Sequence, residues 1–415
     1  MKSLYKFAIP ALLALTPIAA RADEITEASP YSIMGYGALN DHVSASQRAM
    51  GGIGYALHSK RQINVKNPAS YAAIDSMTFL FDIGANVGRA NFSQAGMSTN
   101  GKTLGGLDYI TMQVPIGKWM GASVGLLPYS TRGYKFGMNI ANGTAIYEGS
   151  GGVSEAYLGF AARPVKGLSI GFNAGYLFGN LISDETVIAK GGQKSMYEQI
   201  LKIRDFNLQF GLQYSYTFNR EHTLTLGATY TLGKKTHGDG SIINYDMTNT
   251  TVKPDTVGIV KLDKGLSLPW SIGAGIAYRW DNRLTVGADF TYQPWSEARF
   301  EGINGFNAQT FANRYKAAIG AEYIHATRGN YFKRMAYRIG ANYQRDYVMV
   351  RGNNVKEFGL SCGFGFPTPL RTSVNLGFEY RHRNSTPVKT VGEDYFMVTL
   401  GVAIDEVWFV PSKIR

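Results

Sequence analysis

Seven polar side chains fall on one parity of strand-like segments: Gln209, Gln213, Arg279, Asp289, Arg338, Glu379 and Arg381. Polar groups withdrawn from water must be paired, so such a set can bond a second stretch of chain or line a path for ions. Other chemistry is sparse. The histidines (His42, His58, His222, His237, His325 and His382) are dispersed and lack metal-ligand spacing. Cys362 is the only cysteine; it lies in a strand-like stretch and reads as a packed thiol. No phosphate-cradling glycine loop before a helix and no Cys–His pair is present, so no enzyme, cofactor or metal is expected.

The elements that must carry these residues are strands. Phe206, Leu208, Phe210, Leu212, Tyr214, Tyr216 and Phe218 alternate with Asn207, Gln209, Gly211, Gln213, Ser215, Thr217 and Asn219. After a turn at Asn219–His222, Leu224, Leu226, Ala228, Tyr230 and Leu232 repeat the pattern against Thr223, Thr225, Gly227, Thr229 and Thr231. Successive strand side chains point to opposite faces, so this is a hairpin with one apolar and one wet face. Gly at 49, Tyr at 26 and a charged share of 17% suit many strands with tight turns.

About fourteen strands are predicted, near 76–90, 103–116, 119–132, 152–164, 167–180, 203–219, 222–234, 266–281, 283–296, 312–326, 331–347, 356–367, 370–383 and 394–405. Short turns alternate with long links at 91–102, 133–151, 181–202, 235–265, 297–311, 348–355 and 384–393. The expected fold is all-β: a transmembrane antiparallel barrel with short turns in the periplasm and long loops outside. Trp119, Trp280 and Trp408 are expected at the periplasmic interface, and Trp270 and Trp295 at the outer one.

Residues 1–22 read as a signal peptide: Lys2 and Lys6, an apolar run from Phe7 to Ala20, then Ala20-Arg21-Ala22. The bacterial outer membrane is therefore the expected location. The formal charge of +12 falls to +9 without Lys2, Lys6 and Arg21. The excess is scattered, which argues against nucleic acid and for lipid headgroups or a cationic lumen.

Residues 23–75 lack alternation and are too apolar for a linker, so they are assigned as a hatch inside the barrel of residues 76–415. A helical turn is expected near Ser44 to Met50. Asn67 either clamps the hatch to the wall or begins an Asn-Pro turn. In the third strand, Gly125-Leu126-Leu127-Pro128 predicts a kink or bulge, since proline gives the ladder no N–H; the alternative is that Pro128 ends the strand at the outer rim.

Ala49-Met50-Gly51-Gly52, followed by Asn67-Pro68-Ala69-Ser70, resembles the hatch motifs of the FadL/TodX family of outer-membrane transporters for hydrophobic compounds. The chain departs from the family pattern at Val65-Lys66, which is more polar, and at Leu57–Gln62, which is more basic. The resemblance implies that Met50, Gly51, Gly52, Asn67, Pro68 and Ala69 belong to the hatch and that Gly125 and Pro128 mark a lateral gap. It implies passive uptake of fatty-acid-like or aromatic molecules by hatch movement and lateral release, with a hydrophobic ligand and outer-membrane lipid as partners. The alternative is a non-transporting barrel of the same type, a scaffold for envelope proteins in a secretion or assembly complex, as PorV-like proteins are. A diffusion pore for polar solutes is a third reading, which a hatch argues against.

Overall fold

Alternating sequence becomes alternating exposure. Phe206 and Tyr216 are 65% and 59% exposed, whereas Gln213, on the other parity, is 3% exposed. An outer surface of large apolar side chains around a polar interior inverts the soluble arrangement and suits a wall immersed in lipid. The computed structural model describes residues 28–94, 97–236, 238–247, 255–262, 267–298, 311–326, 328–368 and 371–408; the expected signal peptide lies outside them.

The strands are β1 (Ala38–Leu39), β2 (Thr78–Gln94), β3 (Met97–Gly117), β4 (Met120–Thr131), β5 (Tyr134–Ile140), β6 (Gly143–Val165), β7 (Leu168–Ala189), β8 (Lys194–Phe218), β9 (His222–Thr231) and β10 (Lys234–Lys235). They continue as β11 (Gly238–Asp246), β12 (Asp255–Leu262), β13 (Ser267–Leu268), β14 (Ser271–Trp280), β15 (Leu284–Gln293), β16 (Arg314–Ile324), β17 (Ala336–Val350), β18 (Asn353–Pro367), β19 (Ser373–Thr386) and β20 (Gly392–Val407).

Fourteen of them form the wall: β2, β3, β4, β6, β7, β8, β9 and β14 to β20. Each pairs antiparallel with the next, and β2 pairs with β20, so the sheet closes. Closure removes the edges that lipid cannot satisfy. Tight turns join the strands at one end of the barrel, the end expected to face the periplasm. Asn219 and Arg220, and Asp281 and Asn282, have φ between 47° and 58°, a region that Asn and Asp tolerate best among residues with a side chain.

Three expected features are corrected. The links at 133–151, 181–202 and 235–265 are largely strand: β6, β7 and β8 run for 23, 22 and 25 residues, β5 and β11 pair with the outer ends of β6 and β8, and β12 pairs with β11. Crossing lipid takes only about ten residues, so these strands project beyond it, where the loss of one-sided hydrophobicity hides them from pattern reading. Trp295 is fully buried, in a 3-10 turn stacked on Tyr347 at 4.2 Å, with Tyr36 and Phe311 against its edges. It plugs the outer end instead of facing headgroups, because the chain turns inward after Pro294. Cys362 is exposed on the parity of Phe358 and Leu360, so it faces outward instead of packing inside.

Inside the barrel, residues 28–75 form a 3-10 turn (Pro30–Ile33), β1, the short helix α1 (Ala45–Arg48) and a second 3-10 turn (Pro68–Ala73). The helix starts with a capping box: the Ser44 N–H donates to Gln47 Oε1 at 2.9 Å, and the Gln47 N–H donates to Ser44 Oγ at 3.4 Å.

Candidate functional site: the hatch, the lumen and a wall seam

Asp289 on β15 is the lower anchor of the hatch. Its carboxylate accepts from the N–H groups of Gly54 (2.7 Å) and Tyr55 (3.1 Å) and pairs with Lys66 Nζ at 3.1 Å. Lys66 Nζ also donates to Gly52 O at 2.5 Å. Burial works against the Lys66 ammonium, but Asp289, Tyr55 and Asp41 outweigh it and raise its pKa. The polar Lys66 is therefore the counter-charge to an inward aspartate.

Asn67 serves the hatch and the wall together. Its Nδ2 donates to Tyr55 O (2.7 Å) and to Leu212 O (3.1 Å) on β8, while its Oδ1 accepts from the Ala69 N–H at 3.1 Å, directly after Pro68. Gln213 Nε2 donates to Tyr55 O (2.9 Å) and Leu57 O (3.0 Å), and Gln209 Nε2 to Lys66 O (3.2 Å). These side chains satisfy carbonyls that an irregular segment leaves without ladder partners.

Inward-facing wall glycines let the hatch backbone touch the barrel. A Cβ at Gly340 would stand 2.1 Å from Gly51 N and from Met50 C, and one at Gly211 would stand 2.2 Å from Asn67 Oδ1. Gly51 itself has φ +70°, and its N–H donates to Ser361 Oγ at 2.8 Å. Gly52 follows at φ +84° with open space around it.

Further along the lumen ionised groups meet one another, next to the apolar cluster around Trp295. Asp41 of the hatch pairs with Arg314 at 3.0 Å and with Lys316. Burial disfavours the Asp41 carboxylate, but Lys316, Arg314 and Lys66 hold its pKa well below the usual range. Arg314 donates to Gln344, Gln344 to Glu357, and Glu357 pairs with Arg383 at 2.7 Å and lies 4.0 Å from Arg381. Arg48 of α1 reaches Asp108 at 3.1 Å and Glu379 at 3.8 Å. Arg338 bonds within the wall, to Glu322 (2.7 Å) and Asn375 (2.8 Å). Arg279 stands beside His58, whose pKa is pushed down to about 4 by burial and by Arg279 and Arg163. Six of the seven inward residues thus join bonded networks, and the Arg279 side chain makes no hydrogen bond or ion pair among the described residues.

Small cavities remain among the described residues. One of about 80 Å³ lies between Leu39, Arg48, Asp108, Pro128 and Arg381. Another, of about 90 Å³, lies between Tyr55, Lys66, Tyr129, Glu155 and Arg314. Among the described residues no cluster of His, Cys, Asp and Glu could hold a metal.

Pro128 lies inside β4, not at its end. The β4–β6 register shifts between Pro128 and Ser130, while pairing of β4 with β3 stops at Leu126, one residue after Gly125. Above that level the hatch strand β1 occupies the β4 edge, with Ala38 opposite Thr131 and Leu39 opposite Ser130. The pattern of the chain missed Lys66, Asp41, Arg314, Lys316, Glu357 and Arg383. The strand members of that set sit on the inward parity, which is a usable signal; the hatch members have no periodicity to betray them.

A closed fourteen-stranded wall, apolar outside and bonded inside to an N-terminal hatch, defines a plugged β-barrel of the FadL type. A Pseudomonas aeruginosa FadL homologue has this fold at a TM-score of 0.61 and 12% identity, over 90% of this chain and 100% of that one. The monoaromatic hydrocarbon channel CymD matches at 0.58 and 14% identity, over 89% and 99%. The Ralstonia pickettii toluene transporter TbuX matches at 0.56 and 14%, over 88% and 98%. No curated protein sequence matches. A family model described as BamG matches residues 4–415, and the chain belongs to that family.

Proposed function

We propose that the protein is a plugged outer-membrane barrel that acts as a scaffold for other envelope proteins, without enzymatic activity and without carrying a solute through its lumen. The character of the lumen carries this reading. Apolar cavities that bind benzene measure about 150 Å³ and are lined by hydrocarbon, whereas the cavities here are about 80 and 90 Å³ and are walled largely by charged and polar groups. A hydrophobic solute gains about 25 cal/mol per Å² on leaving water for an apolar site; among Arg48, Asp108, Lys316 and Glu357 it would gain little and would strip ions of their partners. The hatch is bonded to the wall at Asn67, Asp289, Gly51 and Arg48, which suits a permanent stopper.

Passive uptake with hatch movement and lateral release is the second reading. The break in β3–β4 pairing next to Pro128 favours it, since a solute would need such an exit. Native mass spectrometry of the barrel drawn from its own membrane in mild detergent tests the pair. Stoichiometric protein partners and a lumen free of apolar ligand support the scaffold. A bound hydrocarbon or fatty acid, with no partner protein, would sink it.

A further inference from the structure

The seam beside Pro128 is built for a polypeptide. Above the last β3–β4 pair, Ile110 with Leu126, strand β3 continues to Met97 with only β2 beside it. On the other side β4 reaches Thr131, and β5 continues outward paired only with β6. Among the described residues, two strand edges therefore face a break in an otherwise closed wall. Leu107 and Leu126, 48% and 39% exposed, stand at the foot of the break, which opens toward the end where β5 to β8 project.

We propose that this seam accepts an extended segment of a partner protein, which adds to the free edge of β3 through main-chain hydrogen bonds. The inference rests on the scaffold reading and names how that scaffold grips its partner. Three observations carry it. An open edge presents alternating N–H and C=O groups, which a hydrocarbon or an acyl chain cannot bond and a peptide strand can. Strand addition is already how this seam is used: β1 lies on the β4 edge, and the Asn40 N–H donates to Tyr129 O at 3.0 Å. The edge also lacks the usual guards. Between Gly101 and Gly106 it carries a single charge, Lys102, and no proline, and Gly105-Gly106 leave room for a second backbone. Arg48, bonded to Asp108 at the foot of the seam, fixes the hatch behind the docked strand.

The test uses the full chain in intact cells, with a photo-crosslinking amino acid in place of Thr103 on β3 or Lys135 on β5. Phe290 and Ile319, outward-facing and 48% and 61% exposed, serve as control positions on distant strands. Lys102→Pro and Thr103→Pro are compared with the alanine variants. Neighbouring N–H groups in a strand point opposite ways, so one proline removes the seam-facing donor and the other removes a bond to β2. The expected result is one discrete adduct to a different protein at Thr103 and Lys135 and none at the controls. It should fall at least tenfold with one of the prolines and stay with alanine, in barrels whose gel mobility still shifts on heating. Should a proline barrel fail to fold, the seam-against-control comparison decides alone. Protein adducts at the controls only would overturn the seam inference and leave the scaffold standing. An adduct of two copies of this chain, or lipid adducts alone at the seam, would likewise overturn it. No protein adduct at any position, together with no partner by native mass spectrometry, would end both.

Discussion

Replacing Asp289 with alanine should unseat the hatch. The side chain is almost fully buried, and its carboxylate holds two main-chain N–H groups and the Lys66 ammonium. Each buried donor left without a partner costs about 1–3 kcal/mol. Stranding one member of a buried ion pair costs about 3–5 kcal/mol. The terms overlap, so about 5 kcal/mol is the reasonable loss. At 1.4 kcal/mol per tenfold, this moves the docked–undocked balance of the hatch by more than about a thousandfold. Lys66→Met on top of Asp289→Ala removes the stranded charge and should recover about half of the loss. In planar bilayers the wild-type barrel should stay closed, D289A should flicker open to pore-sized conductance, and the double variant should fall between. A D289A barrel as silent as the wild type, with equal thermal stability, would refute the reasoning. So would a double variant that opens more than D289A.

Gly340→Ala puts a methyl 2.1 Å from Gly51 N and should destabilise the folded barrel by about 1–3 kcal/mol, read as a lower melting temperature; Gly137→Ala, whose Cβ would have no neighbour closer than 3.6 Å, should change nothing. His58 is held neutral, its pKa about 4 against an ordinary 6.5. Between those values an undocked hatch takes a proton that the docked hatch refuses, so docking should weaken as pH falls from 6.5 to 4. His58→Gln should flatten that limb in a pH series of hatch proteolysis. Trp295→Ala removes a fully buried ring from the outer aromatic cluster and should cost about 3–5 kcal/mol, with faster proteolysis of residues 30–40 as the check.

The spans were legible wherever one face meets lipid. Phe206 to Phe218 announces both the strand and its orientation, because hydrocarbon on one side and bonded polar groups on the other impose a period of two. Beyond the lipid the same strands continue without an apolar outer face, and only scattered residues such as Leu181 and Leu201 pack inward, so Leu181–Ala189 and Lys194–Lys202 read as loop. Parity alone could have placed Cys362 outside, with Phe358 and Leu360. Trp295 was not legible, since a ring at a strand end can face out or fold in, and the turn after Pro294 decides. Asp289 was assigned to the lumen by parity, but its partner Lys66 lies on an aperiodic segment far along the chain. Only the folded lumen shows that the two charges meet. The same holds for Asp41 with Arg314, and for the glycines at 211 and 340, which read as ordinary strand positions until the hatch is laid against them.

A permanent stopper must be bonded into the wall as firmly as the wall strands are bonded to one another. Hydrogen exchange of the full barrel in lipid measures this amide by amide. The N–H groups of Gly51, Gly54, Tyr55 and Ala69, which donate to Ser361, Asp289 and Asn67, should exchange as slowly as those of β8 and β15. Exchange of these four within minutes, while β8 and β15 stay protected, would contradict it.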